Sequence, residues 1–396
     1  MIPPAAKLKV ALLTTDGREV LKDYDTPGPH FGTAPEALLQ GFAELPEVEL
    51  HVVSCLRQPV LSPPKLAPNI FFHTLHVPKI GWMRTGYQGC IRAVRKQLTA
   101  IQPHIVHGQG TELDCAITAV FSGFPNVVTI HGNAAELARQ FRSRIGSFFW
   151  LAGKLEDFTL KRTGGVLCNS AYTEQLVKGR TPRTWRVPNP LRQEFFRPPA
   201  GRSPARKPTL VNVGVISPRK RQLELLDVLR TLRRQALDFE CLFVGQPTPG
   251  ASYTAAFFDQ IAPMEKEGYA RYLGWQSTRE LVDLFDRADA LVHVSPAESF
   301  GLVVAEALAR DLKLFAGRVG GVPEIAEHVP ETELLDVDDW TGLTGAISHW
   351  LRRGAPRPTG AAAAMRSRYA PGAIARRHVE IYQEVLPGIE PARRGD

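Results

Sequence analysis

The sequence predicts an α/β protein of two domains, each a parallel sheet wound with helices. Three observations predict it. Short apolar runs alternate with helical patterns along most of the chain, as in sheets whose parallel strands are joined by helices. The alternation occurs twice, on either side of a Pro- and Gly-rich stretch from Phe196 to Pro204. At 396 residues the chain also exceeds one typical domain.

The first series begins with an apolar run, Lys9 to Thr15, followed by a polar loop through Thr26 to Gly32. Ala34 to Leu45 reads as a helix with Pro35 in its first turn, where proline is tolerated. Strand-like runs follow at Val48–Ser54, Ile70–Val77, Ile105–His107, Val127–His131 and Gly165–Asn169. Helical patterns cover Tyr87–Ile101, Leu113–Phe121 and Ala171–Val177, the last with Ser170 as its N-cap. The second series has strand-like runs at Leu210–Ile216, Phe239–Val244, Tyr269–Leu273, Ala290–Val294 and Leu312–Phe315. Its helices include Gln222–Leu232, Arg279–Phe285 and Gly301–Ala309, and a further helix runs from Arg377 to Leu386. The expected division is 1–194, a linker 195–208, a second domain 209–375, and a terminal segment 376–396.

The formal net charge of +8 suits anionic partners such as nucleoside diphosphates or acidic lipids. No dense Lys/Arg tract interleaved with aromatics points to nucleic acid. The five cysteines are scattered, without C-x-x-C spacing, and are expected to be free thiols of a reducing cytoplasm. Met1 to Leu13 lacks the pattern of a signal peptide, and no apolar run is long enough for a membrane span. Between Ala135 and Lys161, Arg139, Arg142, Arg144, Lys154 and Lys161 accompany Phe148-Phe149-Trp150. That mixture reads first as a core-facing aromatic face with solvated charges; the alternative is peripheral contact with an anionic membrane, on its inner face.

The chemistry is concentrated in Ser295-Pro296-Ala297-Glu298-Ser299-Phe300-Gly301-Leu302 and the helix after it. A strand that turns into a helix start offers the Phe300, Gly301 and Leu302 amides to a phosphate. Glu298 precedes the helix and Glu306 lies within it, about 12 Å apart along the axis. One carboxylate can meet a sugar, the other a ribose diol. A second string, Val213-Gly214-Val215-Ile216-Ser217-Pro218-Arg219-Lys220, places two cations after a strand end, a fork and a point charge for phosphate oxygens. His107 and His131 each end an apolar run and precede glycine.

The Glu298-to-Glu306 string resembles the E-x7-E motif of the retaining glycosyltransferases of family 4. Gly320-Gly321-Val322-Pro323-Glu324 and Val128-Thr129-Ile130-His131-Gly132 also match that family's pattern. The resemblance implies the GT-B architecture, two Rossmann-like domains with a facing cleft. It implies a nucleotide-diphosphate-sugar donor, an unidentified hydroxyl acceptor, and front-face substitution without a protein nucleophile, cofactor or metal. In it, Arg219 and Lys220 clamp the diphosphate beside Gly214 and the Phe300–Leu302 amides. Glu306 holds the ribose, Glu298 orients the sugar, and His131 contacts the sugar from the first domain. Gly32 matches one glycine of the family's paired-glycine donor loop, with Phe31 in place of the other. Val215 stands where many members carry an arginine. Trp275 and Gln276 are candidates for the base site. A nucleotide-sugar epimerase of the same architecture, or a degenerate protein that binds nucleotide sugar or a partner transferase, are the alternatives. Asp338-Asp339 reads as solvated loop charge, and no metal-ligand constellation is expected.

Overall fold

The computed structural model describes residues 7–140, 142–199 and 207–386. The chain divides into two compact units, Met1–Arg192 with Tyr369–Asp396, and Gln193–Arg368.

The first unit is built on an eight-stranded sheet. Its strands are β1 (Leu8–Leu13), β2 (Val48–Leu56), β3 (Lys65–Ala67), β4 (Ile70–His76), β5 (Ile105–Gln109), β6 (Asn126–Ile130), β7 (Val166–Cys168) and β8 (Thr184–Arg186). Their order is β3-β4-β2-β1-β5-β6-β7-β8. Every pairing is parallel except that of β3 with β4. The inner strands are apolar on both faces because helices cover both: Val10 to Leu13 of β1 are all buried. The sequence pattern misses β3, a three-residue edge strand with no apolar run. It also misses the helix Gly17–Leu21 in the polar loop after β1. That helix is set by Asp16, whose carboxylate accepts from the Arg18 amide and pairs with the Arg18 guanidinium at 2.7 Å. Arg18 is wholly buried and also donates to the Leu61 carbonyl and the Ser62 hydroxyl, tying this loop to the one after β2. Ser170 does cap Ala171–Val177, with a reciprocal bond from Thr173.

The second unit carries a six-stranded parallel sheet. Its strands are β9 (Thr209–Val213), β10 (Glu240–Val244), β11 (Ala270–Tyr272), β12 (Ala290–His293), β13 (Lys313–Gly317) and β14 (Thr332–Leu335). Their order is β11-β10-β9-β12-β13-β14. From β9 the chain winds first to β10 and β11, then returns to the other side of β9 at β12. The carboxyl ends of β9 and β12 therefore flank the point where winding reverses, the place where such sheets bind ligands.

The unit boundaries differ from those read in the sequence. The 3-10 helix Gln193–Phe196 belongs to the second unit rather than to the first domain and the start of a linker. Phe195 is fully buried against Phe285, and Arg310 donates to the Phe195 and Arg197 carbonyls. Residues 200–206 of the expected linker and 387–396 of the expected tail lie outside the described residues. The terminal helix is Pro371–Val385, longer than the pattern suggests, and it belongs to the first unit from its first residue. It packs on the helix Thr33–Ala43 at Gly41, where a Cβ would stand 2.2 Å from the Pro371 carbonyl oxygen. Only glycine allows that approach. No helix among the described residues is long and apolar enough to cross a membrane.

Candidate active site

In the second unit, the turns after β9 and β12 meet. The Lys220 ammonium pairs with the Glu298 carboxylate across 78 residues of sequence. Gly214 leaves room for this: a Cβ there would lie 3.2–3.4 Å from three carbons of the Lys220 side chain. The Ser295 hydroxyl, buried, lies 3.2 Å from the Arg219 carbonyl oxygen and 3.0 Å from that of Ala297, joining the two turns. Gly320 and Gly321 support the Glu298 turn from behind. Their Cβ atoms would stand 1.5 Å from the Glu298 carbonyl oxygen and 2.8 Å from that of Phe300. Backbone packs on backbone here, which explains why the sequence has paired glycines.

His293, the last residue of β12 and 2 % exposed, completes the cluster. Its Nε2 is 3.2 Å from the same Glu298 oxygen, without the alignment of a hydrogen bond. Burial by itself would raise the Glu298 pKa, but His293 and Lys220 outweigh it and hold the carboxyl well below the usual range. Glu298 is therefore an anion, with Lys220 and His293 both against one of its oxygens. His293 does not stand out in the sequence because it sits inside an apolar strand, where a histidine is more often a satisfied core residue.

The other residues expected in this unit lie close by along the chain. Arg219 is exposed on the turn Pro218–Lys220, and Val215 is 50 % exposed before it. Gly301, at φ 102°, makes the turn into the helix Leu302–Leu308, with Phe300 buried ahead of it. Glu306 is buried within that helix rather than displayed on its solvent face. Trp275 is 64 % exposed after β11, whereas the Gln276 amide is used in donating to the Leu273 carbonyl at 2.9 Å. Asp338 and Asp339 are not mere solvated charges. Asp338 pairs with Arg221 at 2.5 Å, and Asp339 caps the helix Trp340–Arg352 by accepting from Gly342.

In the first unit, His131 follows β6. Its Nε2 is 2.8 Å from Gln109 Oε1, and burial pushes its pKa down to about 4, with a smaller opposing effect from Asn189. The ring is neutral at neutral pH. Glu112, which the sequence reading passes over, accepts from the Gly132 amide at 2.7 Å, and burial raises its carboxyl. Gly110 and Gly132 both face it, since a Cβ on either would fall within 3 Å of its oxygens. Gly32 caps the helix Thr33–Ala43 by backbone alone. A Cβ there would meet only Pro35 at 3.8 Å, so packing does not require glycine. Phe31 stacks edge-on against Phe72 at 5.7 Å and fastens the loop to the sheet.

The basic aromatic stretch of this unit does not turn all its rings inward. Phe148 and Phe149 are 51 % and 38 % exposed beside exposed Arg142, Arg144 and Ile145. The fold also brings together Cys55, Cys90 and Asp114, whose ligand atoms lie within 4.8 Å of one another. No sequence spacing shows this set. Hydrogen bonding to Cys90, then burial, raises the Cys55 thiol well above its ordinary range, and burial raises Asp114 to about 6.

Residues 194–367 match the family model of glycosyl transferases group 1, and residues 36–195 that of glycosyltransferase family 4. The GPI3 subunit of phosphatidylinositol N-acetylglucosaminyltransferase from Saccharomyces cerevisiae (strain RM11-1a) is 25 % identical over 310 residues, 74 % of this chain. The match spans 66 % of that relative's length, just under two thirds. N-acetyl-alpha-D-glucosaminyl L-malate synthase from Bacillus anthracis is 35 % identical over 81 residues, 20 % of this chain and 21 % of its own. Among solved structures, sucrose-phosphate synthase from Thermosynechococcus elongatus superposes with a TM-score of 0.75 at 17 % identity, covering 97 % of this chain and 100 % of its own. Anabaena Alr3699/HepE, solved with UDP and glucose, gives 0.70 at 17 % identity over 95 % and 100 %.

Proposed function

Because the chain is a family 4-like glycosyltransferase of GT-B fold, we propose that it transfers a sugar, with retention of configuration, from a nucleotide-diphosphate-sugar to a hydroxyl acceptor. The observation that carries this reading is the Lys220–Glu298 pair, held where the winding of the second sheet reverses. Departure of the sugar leaves growing negative charge on a diphosphate. Lys220 and Arg219, on one short turn, supply cations for that charge, which pre-set groups stabilise more in the transition state than in the ground state. Positive charge from these side chains serves in place of a metal.

Glu298 accepts hydrogen bonds from sugar hydroxyls and is kept ionised by His293 and Lys220. Lys220 leaves Glu298 for the diphosphate when donor binds, and His293 then remains as the carboxylate's neighbour. Glu306 accepts from the ribose diol, the Phe300–Leu302 segment turns toward phosphate, and exposed Trp275 offers a face to the base. In the first unit, neutral His131 is a sugar hydrogen-bonder, and Glu112 a candidate acceptor-side carboxylate. The exposed rings and arginines of 142–149 suit an anionic membrane surface that holds a lipid-borne acceptor at the cytoplasmic face. The UDP and UDP-glucose bound in the HepE structures support a nucleotide-sugar donor.

The test is calorimetry of purified protein against a panel of nucleotide sugars, then product analysis with the donor that binds. Retention is read from the anomeric coupling in the proton NMR spectrum of the product. Inversion of configuration refutes the retaining reading, and conversion of donor without an acceptor refutes transfer.

A further inference from the structure

Lys220 and His293 meet the same oxygen of Glu298, and the fold holds them in opposite ways. His293 ends β12, which lies between β9 and β13 in the sheet, and it is in register with Ala316 of β13. Its ring is buried beneath the turn that carries Glu298. Lys220 ends the exposed turn Pro218–Lys220 and reaches the carboxylate with a flexible stem that lies along Gly214. Lys220 can leave by rotating its own stem. His293 cannot leave without displacing a central strand.

The fixed partner is the one not yet used. His293 Nε2 is 3.2 Å from Glu298 Oε1, yet it is a buried nitrogen without a hydrogen-bond partner among the described residues. An unprotonated nitrogen would set its lone pair against an anionic oxygen. Nε2 therefore carries a proton, in the neutral ring or in the imidazolium, and is a donor out of line with its acceptor. A diphosphate arriving at the Pro218–Lys220 turn draws the ammonium toward itself. The Glu298 side chain, 13 % exposed, would then lose its cation, and leaving one member of a buried pair alone is strongly unfavourable. A small turn of the carboxylate brings Oε1 into line with the Nε2 proton. Departure of the mobile partner thus satisfies the fixed one, and Oε2 stays open to sugar hydroxyls.

We propose that His293 is a positioning residue that takes over the Glu298 carboxylate when a diphosphate draws Lys220 away, and so makes Lys220 available to the ligand. The hand-over deepens the functional reading above and rests on it only in taking the ligand to be a diphosphate. His293 need not touch that ligand. Its loss is felt by ligands that recruit Lys220, and only while residue 298 is a carboxylate.

The experiment is calorimetry on the full chain with the nucleoside diphosphate and the monophosphate of whichever base the parent binds, among uridine, guanosine and adenosine. His293→Leu and His293→Gln are each made in the parent and in a Glu298→Gln background, which forms a double-mutant cycle. In the parent background His293→Leu is expected to weaken the diphosphate about 10- to 100-fold, the scale of a charge-assisted hydrogen bond, and to leave the monophosphate unchanged. In the Glu298→Gln background its effect on the diphosphate should largely vanish, because no carboxylate is left unpaired. His293→Gln, whose amide nitrogen reaches about as far as Nε2, should stay near the parent. A merely structural histidine would instead weaken both nucleotides in both backgrounds. Equal losses for the two nucleotides, or the same loss in the two backgrounds, overturn the proposal. If His293→Leu fails to melt as a folded protein, His293→Asn, whose amide stops short of Glu298, carries the same comparison and the same refutation. A folded parent that binds no nucleoside diphosphate removes the functional reading, and the hand-over with it.

Discussion

Replacing Glu298 with glutamine keeps the size of the side chain and removes its charge. In the parent that charge faces Lys220, with side chains only 16 % and 13 % exposed, and His293 at 3.2 Å. Removing one partner of a fully buried ion pair costs roughly 3–5 kcal/mol. Here Lys220 can turn toward solvent and the amide oxygen still accepts, so the expected loss is about 1–2 kcal/mol. For domains of 150–250 residues that lowers Tm by roughly 2–8 °C. The pH dependence follows from the depressed Glu298 pKa. A carboxyl held below its unfolded value, about 4.3, contributes stability that is present above that pH and lost as pH falls toward the folded value. The gap in Tm between parent and Glu298→Gln should therefore be constant above about pH 5.5 and shrink below about pH 4.3. Thermal melts across that range check it. Sugar transfer should fall, whereas affinity for the bare nucleoside diphosphate should hold or rise, because Lys220 no longer has to leave a carboxylate. Equal melting of the two proteins at pH 7, or a gap that widens in acid, would refute the reasoning.

Glu306→Ala should weaken binding of the nucleoside diphosphate by about 10–150-fold through lost charge-assisted hydrogen bonds, and calorimetry with an unchanged Kd would take Glu306 out of the site. Arg219→Ala tests whether this exposed arginine compensates for Val215. Loss of roughly 10²-fold in turnover at saturating donor is expected, and transfer at the parental rate would make Arg219 ordinary surface. Vesicles rich in anionic lipid should recover the protein in flotation, less so as salt rises. Phe148→Ser with Phe149→Ser should reduce that recovery, and equal recovery on neutral vesicles would count against the contact.

How much of this was legible in the sequence depended on how local each signal is. The two wound sheets show as alternating apolar runs because buried parallel strands are apolar on both faces, as β1 and β12 are. The turns that bear Lys220 and Glu298 show because glycine and charge at a strand end are local patterns. That they share one site comes only from the family resemblance, and their direct pairing does not show at all, since it needs the β9–β12 adjacency and the bridge made by Ser295. His293 and Glu112 stayed hidden for the same reason. Each acquires meaning only from a neighbour brought near by the fold, Glu298 for one and the Gly132 amide for the other. The terminal helix is the clearest case. Its apolar spacing forecasts a helix, yet nothing local to Tyr382 forecasts His107. Gly41 admits the helix, the helix delivers the hydroxyl, and only then does His107, in the middle of β5 rather than at a strand end, gain a buried partner. Glycines thus act here as spacers, at Gly41 against Pro371, at Gly214 against Lys220 and at Gly320 against Glu298. At Gly320 any side chain would collide with backbone that cannot yield. Substitution there should displace Glu298 itself, which makes the spacing of the supporting turn as much a condition of the site as the carboxylate it carries.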